Sequence, residues 1–339
     1  MNPTRRLLMT SALVALIAIF IRAGVATAQT NATLANRNAN PQTQALYRYL
    51  TDLYGTKIIA GQQESTWMGS ENYEFEIIYN ASGKLPAIRG LDYMNDDFRG
   101  VNRRAQEWFK RGGIVTICWH CGADFRGSHR ESLRSNLDWE NALSSGTPEN
   151  KKLLEGMDKA ARALAQLQDE GVTVLWRPFH EFDGAWFWWG KGGPENFKKL
   201  WRIMFERYTN EWKLNNLIWV LGYCGEVKPD WYPGDEYVDI VGADTYVKDT
   251  GSLSEIYKKA SHVANGKPVC LHENGPIPDP EALQRDGANW LWFMTWHTSF
   301  IDRNPINTTE YVKRVYNSEY VVTLDELPDV YRYDGDQPN

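Results

Sequence analysis

The strongest constraint on the fold is a rhythm. Short apolar runs at Lys57–Gly61, Pro86–Asp92, Gly113–His120, Thr173–Glu181, Asn216–Gly222, Val238–Asp244, Pro268–Glu273 and Asn289–Trp296 alternate with longer segments of helical pattern. Runs of this length and apolarity fit parallel strands buried on both faces. The intervening segments carry helix-start chemistry: Pro148 and Pro194 at first-turn positions, and Ser252…Glu255 and Asn307…Glu310 as capping boxes or the Asn variant. The longest predicted helix, Asn150–Glu170, stops at Gly171 just before the fourth strand, and an amphipathic helix is expected near Thr308–Tyr316. Eight strands alternating with helices predict an α/β protein, a single (β/α)8 TIM barrel with its active site at the C-terminal ends of the strands. An open doubly wound sheet would want a Gly-rich phosphate turn after the first strand, and Gly61-Gln62-Gln63-Glu64 is not one. The 339 residues suffice for one such domain, with no linker or repeat to mark a second.

The N-terminus reads as an address. Arg5 and Arg6 precede an apolar run, Leu7–Ile21, and Ala26-Thr27-Ala28 fits a small-residue cleavage site. The expected organisation is a signal peptide over 1–28, a flexible leader over 29–45 and a catalytic barrel over 46–339. The protein is therefore expected to be secreted, extracellular or periplasmic, without a stable membrane anchor because the run is short for a span. Export permits disulfides, but Cys118 and Cys270 fall inside predicted strands, where a buried thiol is the commoner state, and Cys118-Trp119-His120-Cys121 closes a strand, unlike a thioredoxin motif, which opens a helix. A net charge of −6 with dispersed Lys and Arg excludes a nucleic-acid partner, and the chain is expected to act as a monomer.

In a parallel barrel all strand tips open on one face. Here the tips carry Asp92, His120, His180 with Glu181, Asp244 with Tyr246, His272 with Glu273, and Trp296 with His297. Glu181 and Glu273 would face each other across one cleft. A carboxyl pair so placed can protonate a glycosidic oxygen and attack the anomeric carbon, the retaining arrangement, in which the carboxyls stand about 5–5.5 Å apart. The pair repel as like charges, so one of them must hold a proton at rest while the other stays ionised. Strand alternation would not aim both His180 and Glu181 into the cleft, so the fourth strand should end or bulge there, with Arg177 beneath the carboxyls as a compensating charge. The six histidines form neither H-x-H nor H-E-x-x-H, so no metal and no cofactor are expected.

The fifteen tryptophans include Trp186-Phe187-Trp188-Trp189 just after the fourth strand and Trp292 and Trp296 on the eighth. Four aromatics in a surface loop would be costly without a ligand to cover them, and indole faces match the apolar faces of pyranose rings. Trp186 and Trp296 are the two expected sugar platforms. The long connection Cys121–Thr147, on the same face, should shape the cleft.

Arg177-Pro178-Phe179-His180-Glu181, Trp119-His120, Asp244-Thr245-Tyr246, the Glu273 turn and Trp296, in this order, give a chain that resembles glycoside hydrolase family 26 over about residues 45–330. That family is mostly endo-β-1,4-mannanases. The resemblance implies that Glu181 is the acid/base and Glu273 the nucleophile, that His120 and His180 bind around the cleaved sugar, and that Tyr246 hydrogen-bonds the nucleophile. It implies that Trp296 stacks beneath the sugar on the non-reducing side and Trp186 on the leaving-group side, with Asp92 and His297 also binding substrate. A β-mannan polysaccharide is the implied partner, and β-1,3-xylan or mixed-linkage β-glucan, also cleaved within the family, the alternatives. A catalytically silent polysaccharide-binding protein is disfavoured by the presence of both glutamates. The chain departs from the pattern in having Asn274 where many members have an aromatic residue after the nucleophile, and His297 where some have Arg.

Overall fold

The computed structural model describes residues 33–335; the address segment and the first residues of the expected leader lie outside them. Eight parallel strands, β1 (Ile58–Gln63), β2 (Ile88–Asp92), β3 (Ile114–Cys118), β4 (Val174–Arg177), β5 (Leu217–Tyr223), β6 (Ile240–Thr245), β7 (Val269–Asn274) and β8 (Trp292–Thr295), pair in sequence order. Pairing of β1 with both β8 and β2 closes the sheet into a barrel. Strand β1 meets β2 only from Gly61 onward, and a short ninth strand, β9 (Val321–Val322), takes its first half at Ile58 and Ile59. No helix among the described residues is long and apolar enough to cross a membrane.

The helices follow the strands: α1 (Pro41–Leu53) precedes β1, α2 (Tyr73–Ser82) follows it, and α3 (Phe98–Lys110) follows β2. The connection after β3 holds α4 (His129–Arg134) and α5 (Trp139–Ala142) before α6 (Pro148–Asp169), so the long Cys121–Thr147 connection is partly helical. Next come α7 (Gly193–Glu206), α8 (Ser254–Ala264), α9 (Pro280–Asp286) and α10 (Thr309–Tyr316), while two 3₁₀ turns join β5 to β6 in place of a helix. Alternation sorts the strand side chains into two cores. Ile59, Ile88, Ile114, Leu175, Ile218, Ile240 and Cys270 fill the barrel with α1's Leu46, Leu50 and Leu53, whereas Ile58, Val115, Val174, Leu217 and Leu271 face the outer helices.

Three local expectations need correction. The leader is packed from Leu34 on: Ala35 N–H donates to Asp239 at 2.6 Å, Asn36 Nδ2 to the Leu214 carbonyl at 3.0 Å, and α1 begins within the leader at Pro41, capped by Asn40. Ser252 does not cap α8, since its hydroxyl donates to Asp286 and Leu253 stands at the N-cap. Asn307 does not cap α10 either: Thr308 does, while Asn307 holds the β7 and β8 loops together through Ile277 N–H and the Gly275 and Phe300 carbonyls.

Outside the barrel, Glu64 at the end of β1 accepts from Arg89 Nε and Nη2 at 2.8 and 2.7 Å and from Arg104 Nε at 2.8 Å, all three side chains being buried. Removing the central partner of a buried ion cluster leaves uncompensated charge. Glu64→Ala should therefore destabilise the fold by about 3–5 kcal/mol in chemical denaturation. A loss below about 1 kcal/mol would mean that water screens both guanidinium groups.

Candidate active site

Strand β4 ends at Arg177, before the predicted limit of Glu181, because Pro178 has no N–H to continue the ladder. Phe179 and Glu181 then take left-handed backbone conformations, with φ of 51° and 55°. This is the expected irregularity, and it breaks the alternation of sides: Phe179 joins the outer core, while His180 and Glu181 reach the cleft. The Glu181 N–H donates to the Gly222 carbonyl at 2.7 Å, and Trp189 Nε1 to the His180 carbonyl at 2.8 Å, fixing the turn from both sides.

Strand β7 has its own irregularity, which the pattern did not announce. Its register with β6 runs from Ala243↔Leu271 to Asp244↔Glu273, skipping His272. Leu271 faces the helices, so regular alternation would turn Glu273 outward as well; the bulge turns it in. The imidazole of His272 fits because Gly222 and Gly242 flank it, and a Cβ at either would stand 2.9 or 2.8 Å from the ring or its Cβ. His272 Nε2 meets the Tyr223 carbonyl at 2.9 Å and Nδ1 meets Arg177 Nη1 at 3.0 Å.

These two departures bring three carboxylates together. Glu181, Asp244 and Glu273 each place one oxygen within 4.8 Å of the others. Arg177 Nη1 donates to Glu273 Oε2 at 3.1 Å, the Tyr246 hydroxyl donates to Glu273 Oε1, and Trp186 Nε1 donates to Glu181 Oε2 at 2.8 Å. Burial and then the Glu181 charge push Glu273 up to about 7, while Arg177 and the expected hydrogen bond from Tyr246 pull it back toward the ionised form. Asp244 is pushed well above the carboxylate range by burial, by its hydrogen bond to Glu181 and by the charges of both glutamates. Sequence reasoning noted Asp244 as a strand tip and gave it no role; its nearness to Glu181 is tertiary and leaves no local pattern.

On the opposite side Asp92 accepts from the His120 N–H at 2.9 Å and meets His120 Nδ1 at 2.5 Å. Burial works against both charges, yet their attraction wins, holding Asp92 low and His120 high. His180 packs edge-on against His120, with centroids 4.6 Å apart, and is pushed well below its usual range by burial and then by Arg177, so it is neutral. Trp296 is half-buried and His297 packs against it at a tilt, with centroids 4.8 Å apart. Of the four aromatics after β4, Trp186 alone is exposed, at 42 %, while Phe187, Trp188 and Trp189 are core. Trp292 is core too.

Among the described residues two donor sets are close enough for a cation: the carboxylate trio, and Cys118 with His120 and His180. Arg177, Tyr246 and Trp186 already direct donors at the first set. In the second, Asp92 engages His120, and burial pushes the Cys118 thiol well above its usual range, which disfavours the thiolate a metal needs. All four cysteines are free and buried.

The family model "Glycosyl hydrolase family 26" matches residues 35–326. A Thermothelomyces thermophilus protein named mannan endo-1,4-beta-mannosidase is 38 % identical over 320 residues, covering 88 % of this chain and 64 % of its own. A Piromyces mannan endo-1,4-beta-mannosidase B is 33 % identical, covering 89 % and 55 %, so the chain spans just over half to two thirds of these relatives. Among solved structures, the GH26-CBM35 beta-(1,4)-mannanase of Podospora anserina superposes with a TM-score of 0.81 at 36 % identity, covering 89 % of this chain and 70 % of that one. A beta-mannanase from a symbiotic protist of the termite Reticulitermes speratus, complexed with gluco-manno-oligosaccharide, gives 0.80 at 32 % identity, covering 88 % and 98 %. With a family model spanning almost the whole described barrel and relatives above 30 % identity along it, this chain belongs to glycosyl hydrolase family 26.

Proposed function

We propose that this protein is a secreted, retaining endo-β-1,4-mannanase acting on mannan, galactomannan and glucomannan. The observation that carries the reading is the approach of Glu181 and Glu273 to within 4.8 Å between oxygens, with Arg177 and Tyr246 on Glu273 and Trp186 on Glu181. Such proximity suits a nucleophile and a proton donor on one glycosidic bond and is too close for the water that inversion requires. The names of the relatives support mannan as substrate. Secretion is supported by the basic and apolar N-terminal pattern with its small-residue cleavage site.

In the proposed reaction Glu273 attacks the anomeric carbon while Glu181 gives its proton to the departing oxygen, leaving a glycosyl ester on Glu273. Glu181, now ionised, takes a proton from water, whose oxygen attacks the same carbon and frees Glu273. Burial and the neighbouring carboxylates push both Glu273 and Asp244 up. Arg177 and Tyr246 bias the ionised form toward Glu273, as the attacking step requires.

The sharpest test compares the two glutamates. Glu273→Ala should abolish hydrolysis whatever the leaving group. Glu181→Ala should lower turnover of polysaccharide by about 10²–10⁴-fold yet still be glycosylated by an aryl glycoside with a good leaving group. Azide should rescue Glu181→Ala and give a β-glycosyl azide, while Glu273→Ala should give the α-anomer. NMR showing inversion in the first-formed product would sink the retaining mechanism. Reducing-sugar release from galactomannan, glucomannan, xylan and lichenan checks the substrate, and xylan or lichenan cleaved in preference to mannans would overturn that part.

The pH dependence has a definite sign. Nucleophilic attack needs Glu273 ionised, so kcat/KM should fall as pH drops through about 7. Tyr246→Phe deletes a hydrogen bond that favours the ionised form, so the acid limb should move to higher pH by about one unit. A limb that stays in place or moves down would dissociate Tyr246 from Glu273. Because the donor sets around the carboxylates and at Cys118 suit no metal, EDTA should leave kcat unchanged, and activity restored by an added divalent ion would contradict this.

A further inference from the structure

Resting on the reading of the cleft as a β-mannan site, we infer that Trp67, in the loop after β1, is a sugar platform for a residue of the retained chain beyond the one over Trp296. Trp67 is 52 % exposed, a large apolar surface to leave in water on the functional face. It is not a loose side chain. Its ring meets His297 edge-on with centroids 4.8 Å apart, and His297 in turn packs at a tilt against Trp296, also at 4.8 Å, so the three rings form a continuous rim. That rim borders a cavity of about 320 Å³, whose floor includes Glu64, Asp92 and His120.

Its two loops are tied together. The carboxylate of Glu74, fully buried, accepts from the Ser65 N–H of the β1 loop and from the Thr298 N–H of the β8 loop, both at 3.0 Å. The Tyr73 hydroxyl adds a second tie to Asp302 at 3.0 Å. Trp67 and His297 are thus held at a fixed spacing before any ligand arrives, the preorganisation that a binding platform needs. Direction follows from the proton donor. Trp186 holds Glu181, which protonates the leaving sugar, so the leaving chain lies on the Trp186 side. The β8–β1–β2–β3 quarter, where the cavity lies, takes the retained chain. A platform there extends the grip past the sugar on Trp296, so the bond cleaved lies inside the polymer and not at its non-reducing end.

The test is the dependence of kinetics on substrate length, using Trp67→Ala and Trp67→Phe on β-1,4-manno-oligosaccharides of three to six units. With Trp67→Ala, kcat/KM on the longest substrate should drop by about 3- to 10-fold through KM, with the shortest hydrolysed substrate unaffected. Trp67→Phe should recover part of the loss, and thermal unfolding should match the wild type because the indole is largely exposed. Equal losses at every length, or none at any, would overturn the assignment. If the wild type leaves manno-oligosaccharides intact but cleaves those from xylan or glucan, the mannan reading fails, and the same length series on the cleaved substrate decides Trp67. If it cleaves none of them, both fall.

Discussion

The upper barrel depends on one buried cation. Arg177 is 1 % exposed, sits at the end of β4 and reaches across to β7, donating to Glu273 and contacting His272. Three carboxylates crowd within 4.8 Å above it, and the guanidinium works against the burial and like-charge repulsion that push Glu273 up. A guanidinium suits the position because it keeps its charge even when buried. The same charge sets its neighbours' states. After burial itself, Arg177 is the next influence pushing His180 and His272 well below their usual range, so both are neutral hydrogen-bonding groups. One side chain thus favours the ionised form of Glu273 and keeps two imidazoles uncharged.

Placing the carboxyls over that cation required both strands to abandon regular geometry. Left-handed conformations at non-glycine residues cost on the order of 1–3 kcal/mol each, and Phe179 and Glu181 both adopt one. What retains them is a ring of directed contacts: Glu181 N–H on the Gly222 carbonyl, Trp189 on the His180 carbonyl, and Asp183 accepting the Cys224 N–H at 2.8 Å. The buried indoles of Trp188 and Trp189 are part of this support. Aromatics that looked like sugar-binding surface in the sequence are mostly the wall that holds the Glu181 turn, and only Trp186 among them faces solvent.

Periodic features were legible and tertiary ones were not. The eight apolar runs located all eight barrel strands, because a strand buried on both faces must be apolar along its length whatever its neighbours are. The strand tips located the cleft for a topological reason, since a parallel barrel collects its C-terminal ends on one face. The end of β4 was foreseeable because two polar residues in succession cannot share a face in a strand. The bulge in β7 was not, because it depends on Gly222 and Gly242 from two other strands making room for His272. Ser252 and Asn307 carried cap chemistry but use it on distant loops, and Glu64, Glu74 and Asp244 acquire their partners only when separate strand ends meet.

The departures from the family pattern at Asn274 and His297 make physical sense together. Asn274 lies inside β7, fully buried, and its Nδ2 donates to the Pro276 carbonyl at 3.1 Å, so the residue after the proposed nucleophile tightens its own turn and presents nothing to the cleft. The aromatic surface beside Glu273 comes from the next loop. Phe300 packs on Tyr246 with centroids 5.0 Å apart, over Gly275, where any side chain would press on both rings. The β8 loop therefore supplies Phe300 on one flank and His297 on the other. Burial pushes His297 down to about 4, so at neutral pH it is an uncharged ring that can pack between Trp296 and Trp67. An arginine there would bring a fixed charge into that rim, with a guanidinium to hydrogen-bond sugar hydroxyls. If the cleft binds mannan as proposed, the neutral imidazole leaves ring faces and not a fixed charge along this side of it.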